Sequence, residues 1–450
     1  MSLRFGTDGV RGAADELTDA FVMALGEAAG RVLGSDFVIG RDTRESGARI
    51  ERSLSEGLAR AGAVTVSMGV VPTPAVAWVC AQRGVAGAVI SASHNPWSDN
   101  GIKFFAAGGR KLTDDVEERL ESLIDELLAG QTTQVSPVSS DADGIDGDVL
   151  DVDAWCDAVV ASVPTLAATN VPMRVVIDCA NGASSVVAPR IMAALGLDVD
   201  VLHASPDGRN INDGCGSTHP EDLQRRVVEL GAAVGLAFDG DADRLLAVDE
   251  NGDLVDGDQL IAMFAADLRD RGALSGDRVV VTVMTNLGFR LAMAERGIEV
   301  VETAVGDRYV LEALDRVGGS LGGEQSGHIV FADLASTGDG VLSGVQLLDL
   351  LVRSGRPLSD CARTSMTRLP QILRNVRLAE RRSDMSEFLA GAIAAEIADA
   401  EDELGDSGRV LIRPSGTEPL VRVMVEAATA EQAASVASRL VAAVEQACSA

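Results

Sequence analysis

Short apolar runs alternate with amphipathic stretches through three quarters of this chain. Phe37 to Gly40 predicts a strand, Glu45 to Ala61 a helix and Val64 to Met68 a strand; Pro74 to Gln82 reads as a helix and Ala86 to Ser91 as a further strand. The pattern restarts with a strand at Arg174–Asp178, a helix from Ser184, a strand at Val199–Leu202, a helix from Pro220 and the strand Val234–Phe238. A third round has Arg278–Val283, a helix after Asn286, Ile298–Glu302 and a helix from Asp307. Such repetition implies βαβ units and mixed, mostly parallel sheets, an α/β fold. The end differs: strands Val410–Ile412 and Val421–Val425 flank a Gly/Pro/Ser turn, a helix follows from Ala430, and the segment reads as a small α+β domain. A polar, acidic stretch from Gly130 to Asp151 links the first module to the second. Four domains are expected, at residues 1–151, 152–254, 255–368 and 369–450.

Each of the first three modules runs an apolar strand into a short polar loop: SASHNP, DGDADR and GEQSGH. Loops at the carboxyl ends of parallel strands are where open α/β sheets bind ligands. In the first loop Ser93 is a candidate nucleophile, which needs a base, a metal or prior phosphorylation to act. A GxSxG elbow is absent, which argues against an acyl enzyme, and the plain alternative is a polar turn capped by Ser93. In the second loop, alternate side chains of an extended segment point the same way, so Asp239, Asp241 and Asp243 can converge on one cation. Three hard oxygen donors suit Mg²⁺. An EF-hand is excluded, because the sixth position is Arg244 and strands lie on both sides; a solvated acidic loop is the remaining alternative. In the third loop Glu324 and Ser326 offer acceptors for sugar hydroxyls and His328 a titratable imidazole.

A fourth motif, RPSGTEP, packs Arg413, Ser415, Gly416 and Thr417 into a turn, with Arg422 just beyond, and has the makings of a phosphate nest or of a simple hairpin. Charge sharpens the choice. The net charge is −30, which repels nucleic acid and anionic membranes, and repels an anionic substrate unless arginines gather locally. Arg11, Arg244, Arg308, Arg413 and Arg422 are candidates for that gathering, with Arg308 at a helix start where the dipole favours an anion, although for any one of them a surface ion pair is the commoner explanation. The chain uses Arg almost everywhere, and its lysines are Lys103 and Lys111 alone. Lys103, beside Ser93, is singled out because an ammonium can trade a proton and a guanidinium cannot; Lys111 has no such argument and is left structural. The 6 cysteines form no CxxC pair, Met1 to Gly12 shows no apolar signal segment, and no apolar run is long enough to span a bilayer, so a cytoplasmic setting is expected.

In order and combination, these four motifs resemble the α-D-phosphohexomutase superfamily, from FGTDGVRG at the start to LVRVMVE near the end. FGTDGVRG, DNGIKFF, DCANGA, VGDRYV and GEQSGH are most similar to the bacterial branch acting on glucosamine phosphate; enzymes acting on mannose or glucose phosphate typically read GEMSGH. The resemblance implies four domains around a central cleft, which carry in turn the phosphoserine, the metal, the sugar site and a phosphate grip. It implies Ser93 as the phosphoserine, with Mg²⁺ held by its phosphate and by Asp239, Asp241 and Asp243. The family's metal loop more often reads DGDGDR; Ala242 stands in place of its glycine, which argues against a positive φ there and leaves all three carboxylates. It places His94 and Arg244 against the phosphoserine, and Glu324, Ser326 and Arg308 on the sugar phosphate. Arg413, Ser415, Gly416, Thr417 and Arg422 would hold the non-reacting phosphate, and Arg11, Lys103 and His328 would position groups and move protons. The implied reaction interconverts glucosamine 6-phosphate and glucosamine 1-phosphate through a hexosamine bisphosphate, an isomerase step toward UDP-N-acetylglucosamine and cell-wall precursors. The implied partner is a small sugar phosphate, and the resemblance leaves room for a homodimer. Three alternatives stay open here: a mannose or glucose phosphate mutase, a non-catalytic sugar-phosphate-binding protein on the same scaffold, and a phosphatase, which would release inorganic phosphate as its main product.

Overall fold

The computed structural model describes residues 3–6, 8–130, 152–169, 173–378, 385–414 and 419–449. The stretch read as a linker lies outside them except for Gly130, and so do Ser415, Gly416 and Thr417. The chain forms two compact units, residues 1–284 with 298–365, and residues 285–297 with 366–450.

The first unit holds three sheets. In the first module, β1 (Phe5–Gly6), β2 (Gly9–Ala13), β3 (Asp36–Arg41), β4 (Val64–Val70), β5 (Ala86–Ile90) and β6 (Asp99–Phe105) are ordered β1-β2-β6-β5-β3-β4. In the second, β7 (Arg174–Asp178), β8 (Asp198–Leu202), β9 (Val234–Phe238), β10 (Leu245–Asp249) and β11 (Leu254–Val255) are ordered β11-β10-β9-β7-β8. In the third, β12 (Arg278–Thr282), β13 (Glu299–Thr303), β14 (Leu321–Gly323) and β15 (Ile329–Phe331) are ordered β13-β12-β14-β15. Each sheet is mixed. Its parallel part, β5-β3-β4, β9-β7-β8 or β14-β12-β13, matches the alternation read in the sequence. An antiparallel strand then extends it: β6 beside β5, β10 beside β9, β15 beside β14.

That shared plan positions the site. In every module the chain leaves the carboxyl end of a fully buried strand, makes the polar loop, and returns antiparallel along the same strand. Strands buried on both faces read as continuous apolar runs, as AGAVI and VGLAF do. DNGIKFF belongs to such a return: it is β6, buried from Asn100 onward, although its Asp-Asn-Gly start reads as turn.

The second unit has β16 (Gln371–Arg377), β17 (Arg409–Pro414) and β18 (Leu420–Glu426), ordered β16-β18-β17 and all antiparallel, under the helix Ala430–Ser449. The helix Leu287–Glu295, which follows β12 in sequence, belongs to this unit. Buried Glu426 ties it there, accepting from Leu287 N at 3.0 Å and Asn286 Nδ2 at 3.2 Å.

Candidate active site

Ser93 is fully buried and adopts φ 51°, a left-handed conformation that costs a serine about 1–3 kcal/mol and survives only where the surroundings over-determine it. They do. Buried Arg44, at the carboxyl end of β3, donates to the carbonyls of Ser93 at 2.9 Å, Asn95 at 2.8 Å and Asp99 at 2.9 Å, and also to that of Pro96. Asp42 holds the Arg44 guanidinium at 2.8 Å and accepts from Ser91 Oγ at 2.7 Å; Ser91 Oγ in turn accepts from Ser93 N at 2.9 Å. Asn212 Nδ2, from the second module, donates to the same Ser93 and Asn95 carbonyls at 2.9 and 3.1 Å. A cavity of about 370 Å³ opens beside this loop, lined by His94, Trp97, Asn212 and His219 among others.

The DGDADR loop lies directly against the Ser93 loop. A Cβ on Gly240 would stand 2.6 Å from the Ser93 carbonyl oxygen, so only glycine allows the contact. Ser93 Oγ donates to Asp239 Oδ2 at 2.5 Å. Asp239, Asp241 and Asp243 are buried, with carboxylate oxygens all within 4.8 Å of one another. Asp241 Oδ1 and Asp243 Oδ1 are buried without a hydrogen-bond partner. Three convergent carboxylates with two orphaned oxygens fit a hard divalent cation such as Mg²⁺. Ala242 does take a positive φ, 57°, against the sequence expectation. The turn that swings Asp241 and Asp243 to the same side requires it, and alanine tolerates the region at a cost of about 1–2 kcal/mol.

A second group of possible ligands, Asp178, His203 and Cys215, is also within 4.8 Å. Asp178 is already engaged, by Ala180 N at 2.9 Å and by Gly216 N at 3.0 Å. Burial pushes the Cys215 thiol up to about 12, so it stays protonated. This cluster reads as a pin between two loops.

Around the aspartates runs a network of buried charge. Lys103 Nζ, on β6, lies 2.8 Å from Asp241 Oδ2, 2.9 Å from Asp243 Oδ2 and 3.0 Å from Asp8 Oδ2. Burial alone would lower the pKa of this ammonium, but the carboxylates of Asp241, Asp243 and Asp8 hold it well above its ordinary value. Asp8 also pairs with Arg11 and Lys111. Lys111 reaches on to Asp307, whose Oδ2 lies 3.3 Å from His328 Nε2, within ion-pair reach but off hydrogen-bond alignment. The His328 ring is buried, and a Cβ on Gly338 would come within 2.4 Å of it, so the backbone there is packed flat on the imidazole. His94, with Nδ1 3.3 Å from Ser93 Oγ, is lowered to about 4 by burial first and then by Arg244 and Arg11, so it is a neutral imidazole. Arg244 is held charged, because Asp243, Asp239 and Glu324 outweigh its burial.

Ser93, His94, Lys103, Arg11, Arg244 and the three aspartates therefore come together, with His328 joined through Asp307. Glu324 accepts from Gly306 N at 3.1 Å, and Ser326 is exposed at the tip of its loop. Gln325 Nε2 donates to Asp258 at 3.2 Å, so its amide shapes the loop. Arg308 departs from expectation. Its buried guanidinium is paired with Glu117 and Asp114, each at 2.8 Å, and with the Leu112 carbonyl, since carboxylates of the neighbouring helix Asp114–Leu128 reach it first. In the second unit Arg413 and Arg422 stand directly opposite each other on β17 and β18. Sequence reasoning missed Asp8, Asp42, Arg44 and Asp307, and set Lys111 aside. For Lys111 a signal existed: the argument from lysine scarcity that picked out Lys103 applies equally to the chain's other lysine.

Residues 2–130, 153–252 and 256–369 match the phosphoglucomutase/phosphomannomutase alpha/beta/alpha domains I, II and III, and residues 373–443 match the C-terminal domain of that family. Proteins named phosphoglucosamine mutase from Frankia alni and Moorella thermoacetica are 50% and 49% identical to the chain, over 99% and 96% of it and 99% and 97% of their own lengths. A phosphoglucomutase/phosphomannomutase family protein from Burkholderia thailandensis superposes with a TM-score of 0.81 at 25% identity, covering 98% of this chain and 97% of that one. The Aspergillus fumigatus N-acetylphosphoglucosamine mutase, solved with GlcNAc-6P and magnesium, shares the fold with a TM-score of 0.73 at 20% identity, covering 100% of this chain and 96% of that one. Among the described residues no helix is long and apolar enough to cross a membrane.

Proposed function

The chain belongs to the phosphoglucomutase/phosphomannomutase family, and we propose that it interconverts glucosamine 6-phosphate and glucosamine 1-phosphate through a phosphoserine at Ser93. The observation that carries the reading is Ser93 Oγ bonded to Asp239 within a three-aspartate cluster, on a chain half identical over its length to proteins of that name.

Asp239, Asp241 and Asp243 would hold Mg²⁺ together with an oxygen of the Ser93 phosphate. When bound, the ion neutralises phosphoryl oxygens and stabilises the charge that develops in transfer. Arg44 and Asn212 hold the Ser93 backbone still while the phosphoryl group leaves or returns. Arg244 and neutral His94 contact the phosphate, one as a fixed charge and one as a hydrogen-bonding imidazole. Glu324 and Ser326 read sugar hydroxyls, while Arg11, Lys103 and His328 position the reacting hydroxyl and balance its charge. The sugar 6-phosphate receives a second phosphoryl group on its 1-hydroxyl, the bisphosphate reverses, and its 6-phosphate passes to Ser93. One phosphate is idle at each stage. Arg413 and Arg422, opposite each other on β17 and β18, with Ser415, Gly416 and Thr417 of the RPSGTEP motif, are the groups suited to hold it. The setting is cytoplasmic.

The test compares kcat/KM for glucosamine 6-phosphate, glucose 6-phosphate and mannose 6-phosphate under one set of conditions, with peptide mass spectrometry of the active protein. The amino sugar should be preferred, and a single phosphoryl group should map to Ser93. A ratio favouring a neutral sugar would move the chain to the neighbouring branch; an active protein without phosphate at Ser93 would sink the mechanism.

A further inference from the structure

Lys111 lies just past the turn that ends β6, where it bridges back to Phe105, and its side chain is 9% exposed. Its ammonium sits between two carboxylates from opposite sides of the first unit. Asp8 belongs to the turn between β1 and β2 in the first module. Asp307 is the first residue of the helix Asp307–Val317 in the third. Each of these carboxylates is shared with the site. Asp8 also takes Arg11 and Lys103, the latter at 3.0 Å. Asp307 Oδ2 also faces His328 Nε2 at 3.3 Å. The ion pairs therefore run without a break from Asp241 and Asp243 through Lys103, Asp8 and Lys111 to Asp307, against which the His328 imidazole is set.

Resting on the mutase reading, we infer that Lys111 is a positioning residue: by joining Asp8 to Asp307 it sets His328 and the GEQSGH loop of the third module in register with Ser93 of the first. A surface ion pair would do little of this, because solvent screening leaves such pairs nearly neutral in energy. Here Lys111 and Asp307 are buried and Asp8 is partly so, and removing the ammonium would leave Asp307 without its cation, facing the like charge of an Asp8 still paired with Arg11 and Lys103. They would separate, carrying Lys103 on one side and His328 on the other. The neighbouring Arg308, paired with Glu117 and Asp114, would still dock the same helix on the first module. The expected damage is thus a local misplacement of His328 rather than loss of the interface. A misplacement of about 1 Å can cost about 10²-fold in rate.

The experiment is a double-mutant cycle on the full-length protein, run on whichever hexose 6-phosphate the wild type turns over. In this way a wrong sugar assignment and a wrong role for Lys111 give different results. Lys111→Met is predicted to lower kcat by about 10- to 100-fold while KM changes by less than about threefold, since Lys111 touches no substrate in this reading. In a His328→Gln background the same substitution should cost less than about threefold, because the residue it positions is already gone. Wild-type kcat in Lys111→Met, or an equal loss in both backgrounds, overturns the inference. Should Lys111→Met fail to fold, Asp307→Asn takes its place in the same cycle. It leaves Lys111 paired with Asp8, and wild-type kcat there overturns the inference equally. Lys111→Arg should recover part of the rate, whereas a purely structural role would restore unfolding temperature without restoring kcat.

Discussion

Arg44 offers a test of how the Ser93 loop is held. Substituting methionine keeps most of the side-chain volume and removes every donor. Asn212 would still serve the Ser93 and Asn95 carbonyls and Asp99 N the Pro96 carbonyl, so the Asp99 carbonyl loses the donor that Arg44 gives it, and Asp42 loses its buried counter-charge. The part-buried Asp99 carbonyl contributes at most about 1–3 kcal/mol. Breaking the fully buried Arg44–Asp42 pair from one side is the larger cost, about 3–5 kcal/mol. The left-handed Ser93 then has lost its main restraint and can relax to ordinary backbone. If about 3 kcal/mol of the total falls on the active loop conformer, kcat/KM drops by roughly 10²-fold. Arg44→Lys should recover only a fraction, because one ammonium cannot reach four carbonyls in the geometry of a guanidinium fork. The assay measures kcat/KM, the fraction of Ser93 phosphorylated by mass spectrometry, and thermal unfolding, so that loop disorder is separated from global unfolding. An Arg44→Met protein that is folded, phosphorylated and as active as wild type would refute the clamp.

Other expectations follow from the same geometry. Asp241→Asn removes one of the two orphaned anionic oxygens, so Mg²⁺ affinity measured by titration calorimetry should fall at least tenfold, and chelation should abolish wild-type activity reversibly; undiminished turnover in metal-free buffer would contradict the cation site. Lys103→Arg places a larger, planar cation in a buried nest of three carboxylates, and overpacking of about 1–3 kcal/mol together with lost alignment should reduce kcat by more than tenfold; wild-type kcat would show that charge alone suffices. Asp339 caps the helix Gly340–Ser354, and burial raises its pKa to about 7, well above the unfolded value near 3.8. The folded state thus keeps a proton that the unfolded state releases, so this group makes stability fall as pH rises from about 4 to about 7 and adds no slope above that, by up to about 4 kcal/mol. Asp339→Asn should flatten that segment of the denaturation free energy, and an unchanged slope would dismiss it.

The loops were legible because each carries its chemistry in a contiguous string. SASHNP, DGDADR and GEQSGH each follow an apolar strand, and turn formers beside carboxylates stand out against a core of Val, Leu and Ala. Two of the three returning strands were harder to see. β6 begins Asp-Asn-Gly, and β15 is only three residues long, so neither presents an alternating pattern of useful length. Pairing partners decide that these segments are strands, and partners are not written in local sequence. The same limit hid half of the site. Arg44 is 49 residues from Ser93, and Lys111 is 103 residues from Asp8 and 196 from Asp307. No window on the chain holds both ends of those contacts. For Arg308 the local rule was sound, since a helix start does favour an anion. What it met was carboxylates on another helix, which are anions of the same kind as the expected phosphate and are always present. A charged residue read from sequence is thus best treated as a demand for a counter-charge. In a chain of net charge −30, a protein carboxylate answers that demand more often than a ligand does.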